Sequence, residues 1–191
     1  MAVFTLFIMS SCKTINIKKY YSEHKDTLDS LHTSYQQLST SSHFSVQFND
    51  NTYKNITLEV WTDSLKYIYD FAVAENRLKD TLAKYHVPVN PALGIIEKMQ
   101  RIHCTWINNL DYYINKRPNH LVFMSIWPRR LYTPFTNKKY YILTWFNQPQ
   151  YFDKNGILMD GRRLRRGRKI NNDVFRRVND KVAYTISDRF R

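Results

Sequence analysis

Hydrophobic positions along the chain fall into blocks of different period. Tyr21, His24, Leu28, Leu31, Tyr35 and Leu38 recur at spacings of three and four, which predicts a helix over residues 20–38 that Ser39 to Ser42 ends. Phe44, Val46 and Phe48 alternate with polar residues, Asn49-Asp50-Asn51 supplies turn chemistry, and Ile56, Leu58 and Val60 alternate again. This predicts a two-stranded hairpin with one apolar face. Thr62 or Asp63 can cap a following helix to Tyr85, with Ile68, Phe71, Leu78 and Leu82 as its seam and Glu75 inside the stripe. Pro88 and Pro91 close that helix. From Ala92 to Lys116, residues Ile95, Ile96, Met99, Ile102, Trp106, Leu110 and Tyr113 share one side at 100° per residue, which predicts a long amphipathic helix.

Beyond Pro118 the pattern turns to β. Leu121 to Trp127 and Tyr140 to Phe146 are apolar, aromatic or β-branched runs. Gln150 to Phe152 and Ile157 to Met159 flank Asp153-Lys154-Asn155-Gly156, a turn with glycine where the left-handed conformation falls. Asn172 can cap a last helix in which Phe175, Val178, Val182, Ile186 and Phe190 form the buried side. Strands that come in adjacent pairs point to an α+β fold. The expectation is an antiparallel sheet of about four to six strands, with helices packed on one face and a C-terminal helix.

The chain opens on an uncharged apolar run, Ala2 to Met9, followed by Ser10-Ser11-Cys12-Lys13. Eight residues match a secretory core and fall far short of the roughly 20 that span a bilayer. Met9-Ser10-Ser11-Cys12 resembles the lipobox of bacterial lipoproteins, with Met9 where that family usually has Leu and no basic residue ahead of the run. The resemblance implies cleavage by signal peptidase II and diacylglyceryl modification of Cys12. It divides the chain into a signal peptide (1–11), a lipidated tether (12–19) and a single α+β domain (20–191). Lys13 directly after the cysteine implies the outer membrane, facing the periplasm. Acyl chains at about 0.8 kcal/mol per buried CH₂ would anchor the protein durably, with Lys13, Lys18 and Lys19 against the headgroups.

Charge adds a second asymmetry. The net charge is +13, yet residues 1–100 hold equal numbers of basic and acidic side chains, so all the excess lies in residues 101–191. Its densest point is Arg162, Arg163, Arg165, Arg166, Arg168 and Lys169. Arginine forks suit phosphate and carboxylate, which makes this segment the candidate anion-binding site, for anionic lipid, glycolipid or an acidic protein partner. Nucleic acid is the other polyanion, with Trp127, Tyr132 and Trp145 as stacking candidates. The aromatic strands could also line a pocket for an apolar ligand or a glycan.

Catalytic chemistry has thinner support. His103 and Cys104 are adjacent, but neighbours on a helix point about 100° apart. Glu75 and Asp111 are isolated carboxylates, and His24, His86 and His120 lack metal-ligand spacing. With Cys12 acylated, Cys104 has no partner for a disulfide or a cysteine-based metal site. No cofactor or metal is expected. The sequence thus reads as a lipid-anchored envelope protein with a binding or scaffolding role. A cytosolic nucleic-acid-binding protein is the alternative, and a hydrolase of envelope polymers a more distant one.

Overall fold

The computed structural model describes residues 16–114, 117–126, 140–160, 167–170 and 173–187. Two helices come first, α1 (Ile17–Glu23) and α2 (Lys25–Ser41), then a meander β1 (His43–Phe48), β2 (Asn55–Trp61) and β3 (Lys66–Ala72). Two further helices follow, α3 (Asn76–Lys84) and α4 (Val89–Arg101). A second meander is built from β4 (Cys104–Ile114), β5 (Arg117–Ile126) and β6 (Tyr140–Trp145). The remainder forms the short strands β7 (Lys169–Ile170), β8 (Asp173–Val174) and β9 (Arg176–Arg177), and lastly β10 (Val182–Ser187).

One eight-stranded antiparallel sheet runs in the order β3-β2-β1-β4-β5-β6-β10-β9, and β7 pairs with β8 alone. The two meanders meet through their first strands, where β1 pairs with β4 at Val46↔Ile107 and Gln47↔Trp106. Each half is a helix pair followed by three strands, and the antiparallel junction relates the halves by an approximate two-fold axis through the sheet. The sequence carries no matching repeat, so the symmetry is one of topology alone.

Alternation sorts each strand onto two faces. One transverse row reads Tyr69, Leu58, Val46, Ile107, Met124, Leu143 and Tyr184 across the sheet. The helices press their inner stripes onto this face: Ile17 and Tyr21, then Leu28, Leu31 and Tyr35, then Leu78 and Leu82, then Ile95, Ile96 and Met99. Two tyrosine hydroxyls tie the elements of the main core together: Tyr35 of α2 donates to the Phe44 carbonyl of β1, and Tyr20 of α1 donates to the carbonyl of Ile102, the C-cap residue of α4. The opposite face has its own core, where Leu158, Ile170 and Phe175 from the excursion between β6 and β10 cover Leu121, Phe123, Ile142 and Ala183. Towards β1–β3 this second face turns polar. Buried Glu59 pairs with Lys66 at 3.0 Å and accepts from Ser45 at 3.2 Å.

The expected four-to-six-stranded sheet is therefore corrected to eight strands, and the expected C-terminal helix is a strand. The predicted helix to Tyr85 is strand β3 followed by the shorter α3. In β3 the inward positions are Tyr67, Tyr69 and Phe71 at a spacing of two, while Ile68 points out and is 58% exposed. Three apolar residues in seven satisfy either period, and aromatic content decides for the strand. The predicted helix over 92–116 stops at Arg101. His103 takes a left-handed φ of 56°, a common helix-terminating conformation, and the aromatic, β-branched stretch that follows becomes β4. At the C-terminus Val182 and Ala183 are both buried although adjacent, as the two faces of a covered strand require.

The strand assignment at the C-terminus makes a measurable distinction. Val182→Ala should cost about 2 kcal/mol in urea denaturation. Ile186→Thr should stay within about 0.5 kcal/mol, because Ile186 is 49% exposed. A helix would have buried both residues on one stripe.

Candidate functional site

Lys25, Asp29, His32 and Gln36 are spaced four, three and four apart on α2, so they form a polar stripe beside the helix's apolar one. This stripe walls a groove of about 780 Å³. Opposite it lie Trp145 and Phe146 at the end of β6, Asn147 and Pro149 beyond it, and Asn179 to Val182 leading into β10. Tyr21 from α1 completes the wall.

The groove's side chains are ordered by one another. Lys25 Nζ donates to Asp29 Oδ2 at 2.6 Å, and the Tyr21 hydroxyl donates to Asp29 Oδ1 at 3.2 Å. Asn179 Nδ2 in turn donates to the Tyr21 hydroxyl at 3.2 Å, which links the first helix to the approach of the last strand. Gln36 Nε2 donates to Asn147 Oδ1 at 3.2 Å. The His32 ring stacks on Trp145 with centroids 5.7 Å apart and planes 15° apart. Trp145 is 4% exposed, and its indole N–H has no hydrogen-bond partner among the described residues. A buried donor left unmade costs about 1–3 kcal/mol, so an acceptor entering beside it would gain from the contact. Lys25 and Lys181 bring positive charge to the groove, Asp29 and Asp180 negative. The set of tyrosine, amides, lysines and stacked rings suits a polar ligand with hydroxyl or anionic groups.

Next to the groove stands the small lobe formed by residues 150–160, 167–170 and 173–177. Phe152 bridges Leu158 around the turn in which Gly156 takes φ +75°, as its sequence predicts. Arg168 N–H donates to the Leu158 carbonyl at 2.7 Å, and Leu158 N–H to the Phe175 carbonyl at 2.9 Å. Leu158, Ile170 and Phe175 thus point into the second core. Lys169, Arg176 and Arg177 point outward and are exposed. Arg177 is held by Asp180 at 2.5 Å and lies 5.8 Å above the Phe152 ring. Of the six residues that make up the candidate anion site, Arg168 and Lys169 belong to this lobe, while Arg162, Arg163, Arg165 and Arg166 lie outside the described residues. Cys12, the candidate lipidation site, lies outside them too.

The other sequence candidates do not assemble. Cys104 is fully buried and donates to the Trp106 carbonyl at 3.3 Å; burial pushes its thiol up to about 12, far from a nucleophile's range. His103 packs its ring edge-on to Tyr53, 5.3 Å away. Glu75 pairs with Arg77 at 3.0 Å just ahead of α3. His24 sits at the break between α1 and α2, and His86 holds a left-handed turn with φ 57°. Of the stacking candidates Trp145 is covered by His32, and Trp127 and Tyr132 lie outside the described residues. The side chains of Asp111 and His120 lie outside them as well. Among the described residues no group of three or more His, Cys, Asp or Glu could hold a metal ion.

The arginine run is the strongest local signal in the sequence, whereas the α2 stripe is carried by nothing more than its spacing of four, three and four. Its partners Trp145 and Asn179 come from more than 100 residues away, and nothing local announces them. Comparison of the chain with protein-family models, curated proteins and solved structures finds no match.

His32 gives the groove a pH signature. Burial, opposed more weakly by Asp29, holds its pKa below the ordinary 6.5. An unfolded chain therefore takes up this proton more readily than the folded one. Stability from this group is intact above about pH 6.5 and falls as the pH drops towards the folded value. Urea denaturation at pH 7.5 and pH 5 should show a smaller acid loss for His32→Gln than for the wild type.

Proposed function

We propose that the chain is a lipid-anchored bacterial cell-envelope protein that acts by binding, holding an anionic envelope component or an acidic protein at the membrane it is tethered to. Acyl chains on Cys12 fasten it to the outer membrane, facing the periplasm, after residues 1–11 are removed. The observation that carries this reading is the position of the first helix. Asn16 caps α1 by accepting from Lys18 N–H at 3.1 Å and Lys19 N–H at 3.3 Å, which puts the start of this helix four residues past Cys12 in sequence. At no more than ~3.3–3.6 Å per residue, that tether keeps α1 within about 15 Å of the anchored sulfur. The helix buries Ile17 and Tyr21 and leaves Lys18 and Lys19 exposed, a pattern that suits contact with headgroups.

Binding is favoured over catalysis by the groove itself, where Tyr21, Lys25 and Asp29 hydrogen-bond to one another and His32 is stacked on Trp145. The chain passes from the basic lobe at Arg176 into the groove wall at Asn179 to Val182, where Lys181 and Lys25 offer an anionic partner positive charge. Among the described residues no helix is long and apolar enough to cross a membrane, so attachment in this reading falls to the acyl chains.

Two experiments test the proposal. Mass spectrometry of the protein from its native membrane should find an acylated Cys12 as the first residue. Cys12→Ser, or inhibition of signal peptidase II, should leave residues 1–11 attached; an intact Met1 with a free Cys12 thiol in the wild type overturns the anchor. For the partner's sign, Arg176→Ala with Lys181→Ala should weaken affinity for phosphatidylglycerol vesicles in flotation by about thirtyfold, at about 1 kcal/mol for each basic residue. The wild type's binding should weaken as salt is raised and be negligible on phosphatidylcholine.

A further inference from the structure

We infer that β3 is a dimerisation edge at which a second copy of this chain pairs antiparallel about a two-fold axis through Ile68. Among the described residues β3 is the outer strand at one end of the sheet, bonded only to β2. The hydrogen-bond phase of the hairpin fixes which backbone groups it leaves over. Thr62 N–H donates to the Leu65 carbonyl and Val73 N–H to the Lys54 carbonyl, each at 2.8 Å, so the odd-numbered residues of β3 turn towards β2. The even-numbered ones turn outward. Ala72 is already closed off, donating to Glu75 Oε2 at 3.4 Å and accepting from Glu75 N–H at 2.9 Å. Lys66, Ile68 and Asp70 keep their outward N–H and carbonyl groups without a partner among the described residues.

An exposed edge of this kind is ordinarily blunted by charge, proline or a bulge. Here the charges complement one another in a second copy. With Ile68 opposite Ile68 of the partner subunit, Lys66 falls opposite Asp70 of the partner subunit, and Asp70 opposite Lys66 of the partner subunit. All the outward residues then stand in hydrogen-bonded pairs, and each pair exchanges both of its backbone bonds. Shifting the centre to Tyr69 would set Ile68 against an aspartate and Lys66 against the occupied Ala72. The side chains can meet these roles. Ile68 is 58% exposed, and Asp70 is exposed, with Oδ1 held by Thr57 at 2.5 Å and Oδ2 open to a lysine. Lys66 is about a third exposed while gripping Glu59. The faces also agree, since a two-fold axis normal to the sheet leaves Lys66, Ile68 and Asp70 on the same side in both copies. Two eight-stranded sheets would become one.

The test uses the full-length chain in density-matched detergent micelles. Sedimentation equilibrium should give twice the protomer mass. Ile68→Pro removes an N–H that points away from β2, so the hairpin survives while the edge is lost; circular dichroism should match the wild type and the mass should fall to that of the monomer. Asp70→Lys, which sets like charges opposite each other, should also give the monomer. As a positive readout, Ile68→Cys should form a disulfide-linked dimer on mild oxidation, because residues so paired lie about 5.5 Å apart between Cα atoms. Ile186→Cys, on another exposed strand, should not. A wild type that stays monomeric, a dimer that survives Ile68→Pro, or Ile68→Cys linked to a chain of another mass would each overturn the inference.

Discussion

The architecture depends on the pairing of β1 with β4. Each meander taken alone would present its first strand as an open edge, and the helices above would each cover half a core. Joining them makes Val46 and Ile107 neighbours in one apolar row, so that α2 and α4 can pack together over a continuous surface. The junction has demanding local requirements. α4 must stop abruptly, which the left-handed His103 achieves. The strand must then enter the sheet in the right phase, and the register irregularity between Cys104 and Trp106 adjusts it. Trp106 consequently faces the second core and Ile107 the first.

The same junction explains why the groove exists. Although α1 and α2 precede the first meander in the chain, they lie beside the strands laid down last, β6 and β10. The seam between early and late chain adds the hydrogen bonds of Tyr21, Asp29 and Asn179 to the apolar packing of Tyr21 against Trp145. Apolar contact is non-directional, and directional hydrogen bonds add to the lateral position that packing gives a helix on a sheet. A hydrogen-bonded relay across the seam does so, and it leaves room for His32 to settle over Trp145.

Elements with an unambiguous period were legible in the sequence. The hairpin of β1 and β2, the strand β6 and the Asp153 to Gly156 turn each follow from local pattern or turn chemistry, as does the apolar stripe of α2, although the single helix expected over 20–38 is broken at His24 and runs on through Ser41. The errors came where aromatic residues recur densely enough to satisfy two periods at once, as in Tyr67 to Phe71, Trp106 to Tyr113 and Val178 to Ile186. There a helical wheel finds a stripe that is in fact the two faces of a strand. Periodicity does not separate them; aromatic and β-branched content leans towards the strand, and the rest of its stability comes from neighbours distant in sequence. The candidate site divides along similar lines. The polar stripe of α2 could be counted from spacing, and the basic excess of the second half from composition, but the union of Lys25 with Lys181 belongs to the fold alone.

Cys104 offers one last consequence. Its sulfur is sealed beneath the crossover between the two halves and held in the unreactive thiol form. A thiol-directed reagent can therefore modify it only when the centre of the sheet opens. The rate of that modification would follow the opening of the joint between the halves, in isolation from fraying at the termini or movement in the outer loops. The molecule carries its own gauge at the point where its two halves are joined.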